Sequence, residues 1–132
     1  MVPPSKAAPV LDPSRERSAI VVGGTTEGRE VLRWLLRKHH FWVKAALPGP
    51  SAMQGLNGDG SADVYFVETQ QEEGTWEGAV RAIAHHEPRP RLVLLAPRRG
   101  PDVEARARAL GVNAVIWTPF DPGELRAVLD GP

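Results

Sequence analysis

Short apolar runs alternate with amphipathic stretches along most of this chain, and the two kinds of segment differ in period. Ala19-Ile-Val-Val22, Phe41 to Leu47, Val64-Tyr-Phe-Val67, Leu92-Val-Leu-Leu95 and Ala114-Val-Ile-Trp117 are strand-length runs, continuous enough in apolar character to predict strands covered on both faces. Between the first two, Thr26 to His39 puts Val31, Leu32, Leu35 and Leu36 on one face at helical spacing, with Arg29, Glu30, Arg33 and Arg37 away from it. Pro50 to Leu56 predicts a short helix with Pro50 near its first turn and Gly55 weakening it. Thr75 to His86 predicts a helix with Trp76, Ala79, Val80 and Ile83 inward. Pro101 to Leu110 predicts another, ended by Gly111, which supplies the left-handed conformation a helix C-terminus favours. In Asp121-Pro-Gly-Glu124, Asp121 can cap the final helix, Pro122 fits its first position, and Glu124 can return a bond to the cap residue's amide. Five strands and five helices in alternation predict a flavodoxin-like α/β fold. It is a three-layer, doubly wound parallel sheet with right-handed crossovers and strand order 2-1-3-4-5.

Composition narrows the function classes. At 132 residues the chain supports one domain, and Lys+Arg and Asp+Glu balance at 16 each, so the charge predicts neither a nucleic-acid partner nor an anionic membrane. The absence of cysteine excludes disulfides, thiol catalysis and Cys-ligated metals. No apolar run is long enough to span a bilayer and the start lacks the basic and apolar regions of a signal peptide, so a cytoplasmic protein is expected. Residues 1–18, with Pro3, Pro4, Pro9 and Pro13 among small and charged residues, bury too little apolar surface to offset their ordering entropy. They are expected to form a flexible tail ahead of a domain over residues 19–131.

In a sheet of this kind a ligand site lies outside the carboxyl ends of the strands. The residues there are Gly23 and Gly24, Glu68, Ala96 and Thr118. From Ala19 to about Leu129, and most clearly over Ala105 to Leu129 with its Gly111, strand and Thr118-Pro119-Phe120 turn, the chain resembles the receiver domain of bacterial response regulators. Laid on that family, Glu68 stands at the phosphoacceptor Asp, five residues after Asp63, which matches the acidic residue often preceding the third strand. Gly23 and Gly24 stand at the two acidic positions that hold a divalent cation, Ala96 at the hydroxyl residue, Thr118 at the Lys and Val115 at the aromatic rotamer switch. The resemblance therefore implies a receiver fold without its phosphoryl chemistry, since a carboxylate with no cation beside it has nothing to neutralise the developing charge. Glu68 is open to two readings, a fixed mimic of a phosphorylated Asp or a solvated carboxylate at a strand end. No cofactor, metal or enzymatic activity is expected.

The first loop admits an alternative. Gly23-Gly-Thr-Thr-Glu-Gly-Arg29 resembles the start of the precorrin reductases, which bind a nicotinamide cofactor on a Rossmann-type domain. Gly23, Gly24, Thr25, Thr26 and Gly28 could then present amides to a phosphate at a helix N-terminus. Against this, the glycine spacing is short of the full dinucleotide fingerprint and no Asp or Glu falls between Glu30 and Asp59, where a ribose-binding carboxylate would stand. A tight turn that simply needs glycine explains the loop as well. The pairs His39-His40 and His85-His86 fall near helix ends, where a cation is favoured, and adjacent helical residues do not form a two-point metal clamp. The expected function is an atypical, stand-alone pseudo-receiver that signals through protein contacts. Its partner, a second protein or a second copy, would meet the face formed by the helix over 101–110, the strand over 114–117 and the final helix, with Arg106, Arg108, Trp117 and Phe120 as contact residues. An ordinary mixed-charge surface is the competing reading of those arginines.

Overall fold

The computed structural model describes residues 17–49, 62–71, 74–85, 90–97 and 101–130. Five strands form one parallel sheet: β1 (Arg17–Val22), β2 (Phe41–Leu47), β3 (Val64–Glu68), β4 (Arg91–Ala96) and β5 (Ala114–Trp117), in the order β2-β1-β3-β4-β5. Four helices are present among the described residues: α1 (Thr26–Lys38), α2 (Trp76–Ala84), α3 (Pro101–Ala109) and α4 (Pro122–Asp130). The fold class and strand order read from the sequence are those observed. The helix expected over residues 50–56 lies outside the described residues.

Each strand feeds two cores because successive side chains point to opposite faces. On one face Ala19, Val21, Phe66, Val93, Leu95 and Ile116 pack with Leu32 and Leu36 of α1 and with Leu125 and Leu129 of α4. On the other, Ile20, Val22, Tyr65, Val67, Leu92 and Leu94 pack with Trp76, Ala79, Val80 and Ile83 of α2 and with Ala107 of α3. Burial raises the Tyr65 hydroxyl above its ordinary pKa. Val31 departs from its expected inward position: it is 58% exposed. The buried stripe of α1 runs through Leu32 and Leu36, and at about 100° per residue Val31 falls off its edge.

The ordered chain begins before residue 19. Arg17 and Ser18 continue the parallel ladder opposite Phe41 and Trp42. The Ser18 amide and hydroxyl both donate to Asp63 Oδ2, at 2.7 and 3.3 Å, and the Asp63 amide donates back to Ser18 Oγ at 3.1 Å. The expected tail thus gives up its last two residues to β1, held by Asp63, while residues 1–16 lie outside the described residues. A similar clasp ties β4 to β5: the Leu92 amide donates to Asn113 Oδ1 and the Asn113 amide to the Leu92 carbonyl, both at 2.8 Å.

Candidate functional site

Parallel pairing brings the carboxyl ends of β1, β3, β4 and β5 to one edge of the sheet. Gly23 and Gly24 follow β1 with φ of 94° and 81°, a region glycine enters freely and other residues rarely do. Their amides donate to the Leu47 and Gln70 carbonyls, each at 2.7 Å, which pins the turn between β2 and the segment after β3. The helix then starts on a threonine cap, with the Gly28 amide donating to Thr25 Oγ1 at 2.9 Å and the Arg29 amide to the Thr25 carbonyl at 2.9 Å.

The space that side chains at 23 and 24 would occupy is already filled. A Cβ on Gly23 would run into the Gln71 side-chain amide and come within 2.8 Å of the Gln70 carbonyl oxygen. A Cβ on Gly24 would lie 3.0 Å from Glu68 Cγ and 3.3 Å from Glu68 Oε2. Gln71 is fixed in place because its Nε2 donates to the Glu68 carbonyl at 2.6 Å and the Val22 carbonyl at 3.2 Å, tying the ends of β3 and β1 together. Above the same loop, Arg29 Nη1 donates to the carbonyls of Gly24 at 2.7 Å and Gly23 at 3.3 Å, and Nη2 to Thr26 Oγ1 at 3.3 Å.

Glu68 is not the solvated strand-end carboxylate of one sequence reading. It lies against Gly24, half-buried, and desolvation by burial raises its pKa above the ordinary carboxylate value. At the neighbouring ends, Ala96 is buried and offers no hydroxyl. Thr118 turns inward: its amide donates to the Ala96 carbonyl at 2.7 Å and its hydroxyl to the same oxygen at 3.3 Å. The Thr118-Pro119 peptide bond is cis. Val115 lies opposite Leu94 in the β4–β5 ladder and is half-buried.

Three consequences follow for the chemistry. Gly23 and Gly24, the positions at which the receiver resemblance expects cation ligands, have no side chains, and the volume beside them is taken by Gln71 and Glu68. Among the described residues no cluster of three His, Asp or Glu side chains could hold a metal ion. The possible anion loop of Gly23, Gly24, Thr25, Thr26 and Gly28 has three of its amides, those of Gly23, Gly24 and Gly28, already donated to protein oxygens, which leaves fewer of them to meet a phosphate.

The expected contact residues do not share one surface. Arg106 Nη1 pairs with Glu77 Oε2 of α2 at 3.0 Å, while Arg108 Nη2 pairs with Glu104 Oε2 of its own helix at 3.4 Å. Two residues apart on a helix, the arginines point about 200° apart, on either side of the stripe that buries Ala107. Phe120 packs against the core beside α4 and is half-buried, and Trp117 is half-buried at the end of β5. Arg29 and Gln71, which organise the loop, were not candidates in the sequence. Gln71 carries no periodic or motif signal, and only the fold brings it to Val22.

No protein-family description and no curated protein matches the sequence. Solved structures do match. The isolated REC domain of RcsB from Salmonella enterica serovar Typhimurium, in the presence of phosphomimetic BeF3-, superposes with a TM-score of 0.75 at 14% identity, over 87% of this chain and 86% of that one. The Vibrio cholerae chemotaxis protein CheY4 gives a TM-score of 0.75 at 17% identity, over 86% of this chain and 96% of that one. RcsB from Salmonella enterica bound to promoter rprA gives 0.74 at 14% identity over 87% of this chain, which spans only 66% of the RcsB chain. Likeness at these identities establishes the fold: the chain has the receiver-domain architecture.

Proposed function

We propose that this chain is a signalling domain of the receiver type that works through protein contacts without receiving a phosphoryl group. The observation that carries the reading is the filled strand-end pocket. Phosphoryl transfer to a carboxylate needs a cation to neutralise charge on the incoming oxygens. Gly23 and Gly24 offer it no ligand, and the Gln71 and Glu68 side chains take the volume beside them. Of the two positions where the receiver resemblance puts the groups that sense the phosphoryl, Ala96 has no hydroxyl and Thr118 spends its amide and hydroxyl on the Ala96 carbonyl. Glu68 as a standing phospho-Asp mimic is not favoured by this arrangement, because burial penalises its charged form.

A protein partner or a second copy would meet the surface around β5 and α4. Arg108 and Trp117 are the contact residues kept in this reading, whereas Arg106 pairs with Glu77 of α2 and is left out. Incubation of the full chain with acetyl phosphate and magnesium, followed by intact-mass measurement, tests the core of the proposal. No phosphoryl adduct is expected. An adduct that disappears in Glu68→Gln would show working chemistry and end the phosphorylation-independent reading.

A further inference from the structure

The opposite end of the sheet holds a cleft of about 300 Å³. It forms where the start of β1, the turn from α1 into β2 and the last turns of α4 meet. The length of β1, six residues at about 3.3 Å each, puts it roughly 20 Å from the Gly23–Gly24 turn. Its floor is apolar: Phe41 is 5% exposed and Leu129 7%.

Its rim is cationic. Arg17, Lys38 and Arg126 contribute three positive charges against the single negative charge of Asp130, a net of +2 without any contribution from histidine. Two of the three cations are placed by aromatic faces and keep their charge: the Arg17 guanidinium lies 5.6 Å from the Phe41 ring centroid and the Lys38 ammonium 4.3 Å from that of Trp34. Among the described residues Arg126 meets Asp130 in a long, exposed contact, at 3.6 Å. His39 and His40 complete the lining, and each imidazole has a ring N–H to donate in either protonation state. His40 holds a left-handed conformation, φ 66°, directly after the α1 cap, and its carbonyl accepts from the Arg17 amide at 3.2 Å, which fixes the histidine turn to the first residue of β1.

Cations are expected near helix C-termini, and Lys38 fits that need at the end of α1. Dipole compensation does not account for Arg17 on a strand, nor for an apolar floor beneath the charges. We propose that this cleft binds a small organic phosphate, a phosphate dianion on an apolar body. The net charge matches the dianion, the arginines and histidines supply directional donors, and Phe41 and Leu129 cover the apolar part.

Phenyl phosphate added to the isotopically labelled full chain tests the assignment by NMR. Saturable shifts are expected at the amides of Arg17, His39 and His40, with weaker binding of inorganic phosphate, which has no apolar body, and none of phenol, which has no charge. Lys38→Glu and Arg126→Glu should each weaken phenyl phosphate about tenfold, while Arg81→Glu on exposed α2 surface leaves it unchanged. Resonances elsewhere in the sheet report that each variant is folded. The assignment is overturned if phenyl phosphate gives no saturable shift, if both charge reversals bind it as the parent does, or if phenol or inorganic phosphate binds equally well.

Discussion

Glu68 and Gly24 are best understood as one packed pair. The longer carboxylate at the end of β3 fits because residue 24 has no side chain, and glycine is doubly required by its φ of 81° and by the 3.0 Å approach of Glu68 Cγ. Gly24→Ala should therefore cost about 2 kcal/mol in urea unfolding, the left-handed strain of a Cβ-bearing residue plus the crowding against Glu68. A loss below about 0.5 kcal/mol, the range of an ordinary surface change, would show that the turn is not tightly packed. Glu68 makes a separate, pH-dependent statement. Its folded pKa is raised above 4.5 by burial, so the folded state holds the proton more tightly than the unfolded chain. The resulting stability is complete below pH 4.5 and is lost as pH rises through the folded value. Glu68→Gln removes this component. The difference in unfolding midpoint between variant and parent should grow in the variant's favour from acid to neutral pH, and a difference that shrinks would mean the carboxylate is stabilised when charged.

At the scale of elements, α1, α2 and α4 start on side-chain caps, Thr25, Thr75 and Asp121, the last of which the sequence displays. In α4 the Glu124 amide donates to Asp121 Oδ1 at 2.9 Å and the Asp121 amide to Glu124 Oε1 at 3.1 Å, a reciprocal pair. Asp121→Ala should cost about 1 kcal/mol in thermal or urea unfolding, and Asp121→Asn much less, because Asn retains the accepting oxygen. The legible part of the fold is of this local kind. Apolar runs of four to seven residues gave β2 and β5 at their observed bounds, and Gly111 at φ 100° follows α3 as its glycine foretold. Other features depend on contacts between distant segments and leave no local trace. Ser18 is drawn into β1 by Asp63, 45 residues away, and Gln71 reaches Val22 across 49. The candidate site was therefore legible as a set of strand ends with missing groups, but the side chains that fill it were not. The opposite orientations of Arg106 and Arg108 follow from helical periodicity alone, once Ala107 between them is known to face the core.

For the whole molecule, the sheet separates two ends of unlike character. At the carboxyl ends of the strands, backbone turns and the side chains of Arg29, Gln71 and Glu68 close the region where receiver chemistry would take place. At the other end, cations surround an open cleft with an apolar floor. Between them, the architecture shared with RcsB and CheY4 is kept, with one core on each face of the sheet. If the closed end is inert, a ligand shaped like a phosphoryl group should find no place there. The most direct measurement is a two-dimensional NMR titration of the full chain with magnesium and the phosphomimetic beryllofluoride. The amides of Gly24, Glu68, Ala96 and Thr118 are expected to stay where they are throughout. Saturable, magnesium-dependent shifts at those four positions would contradict the account.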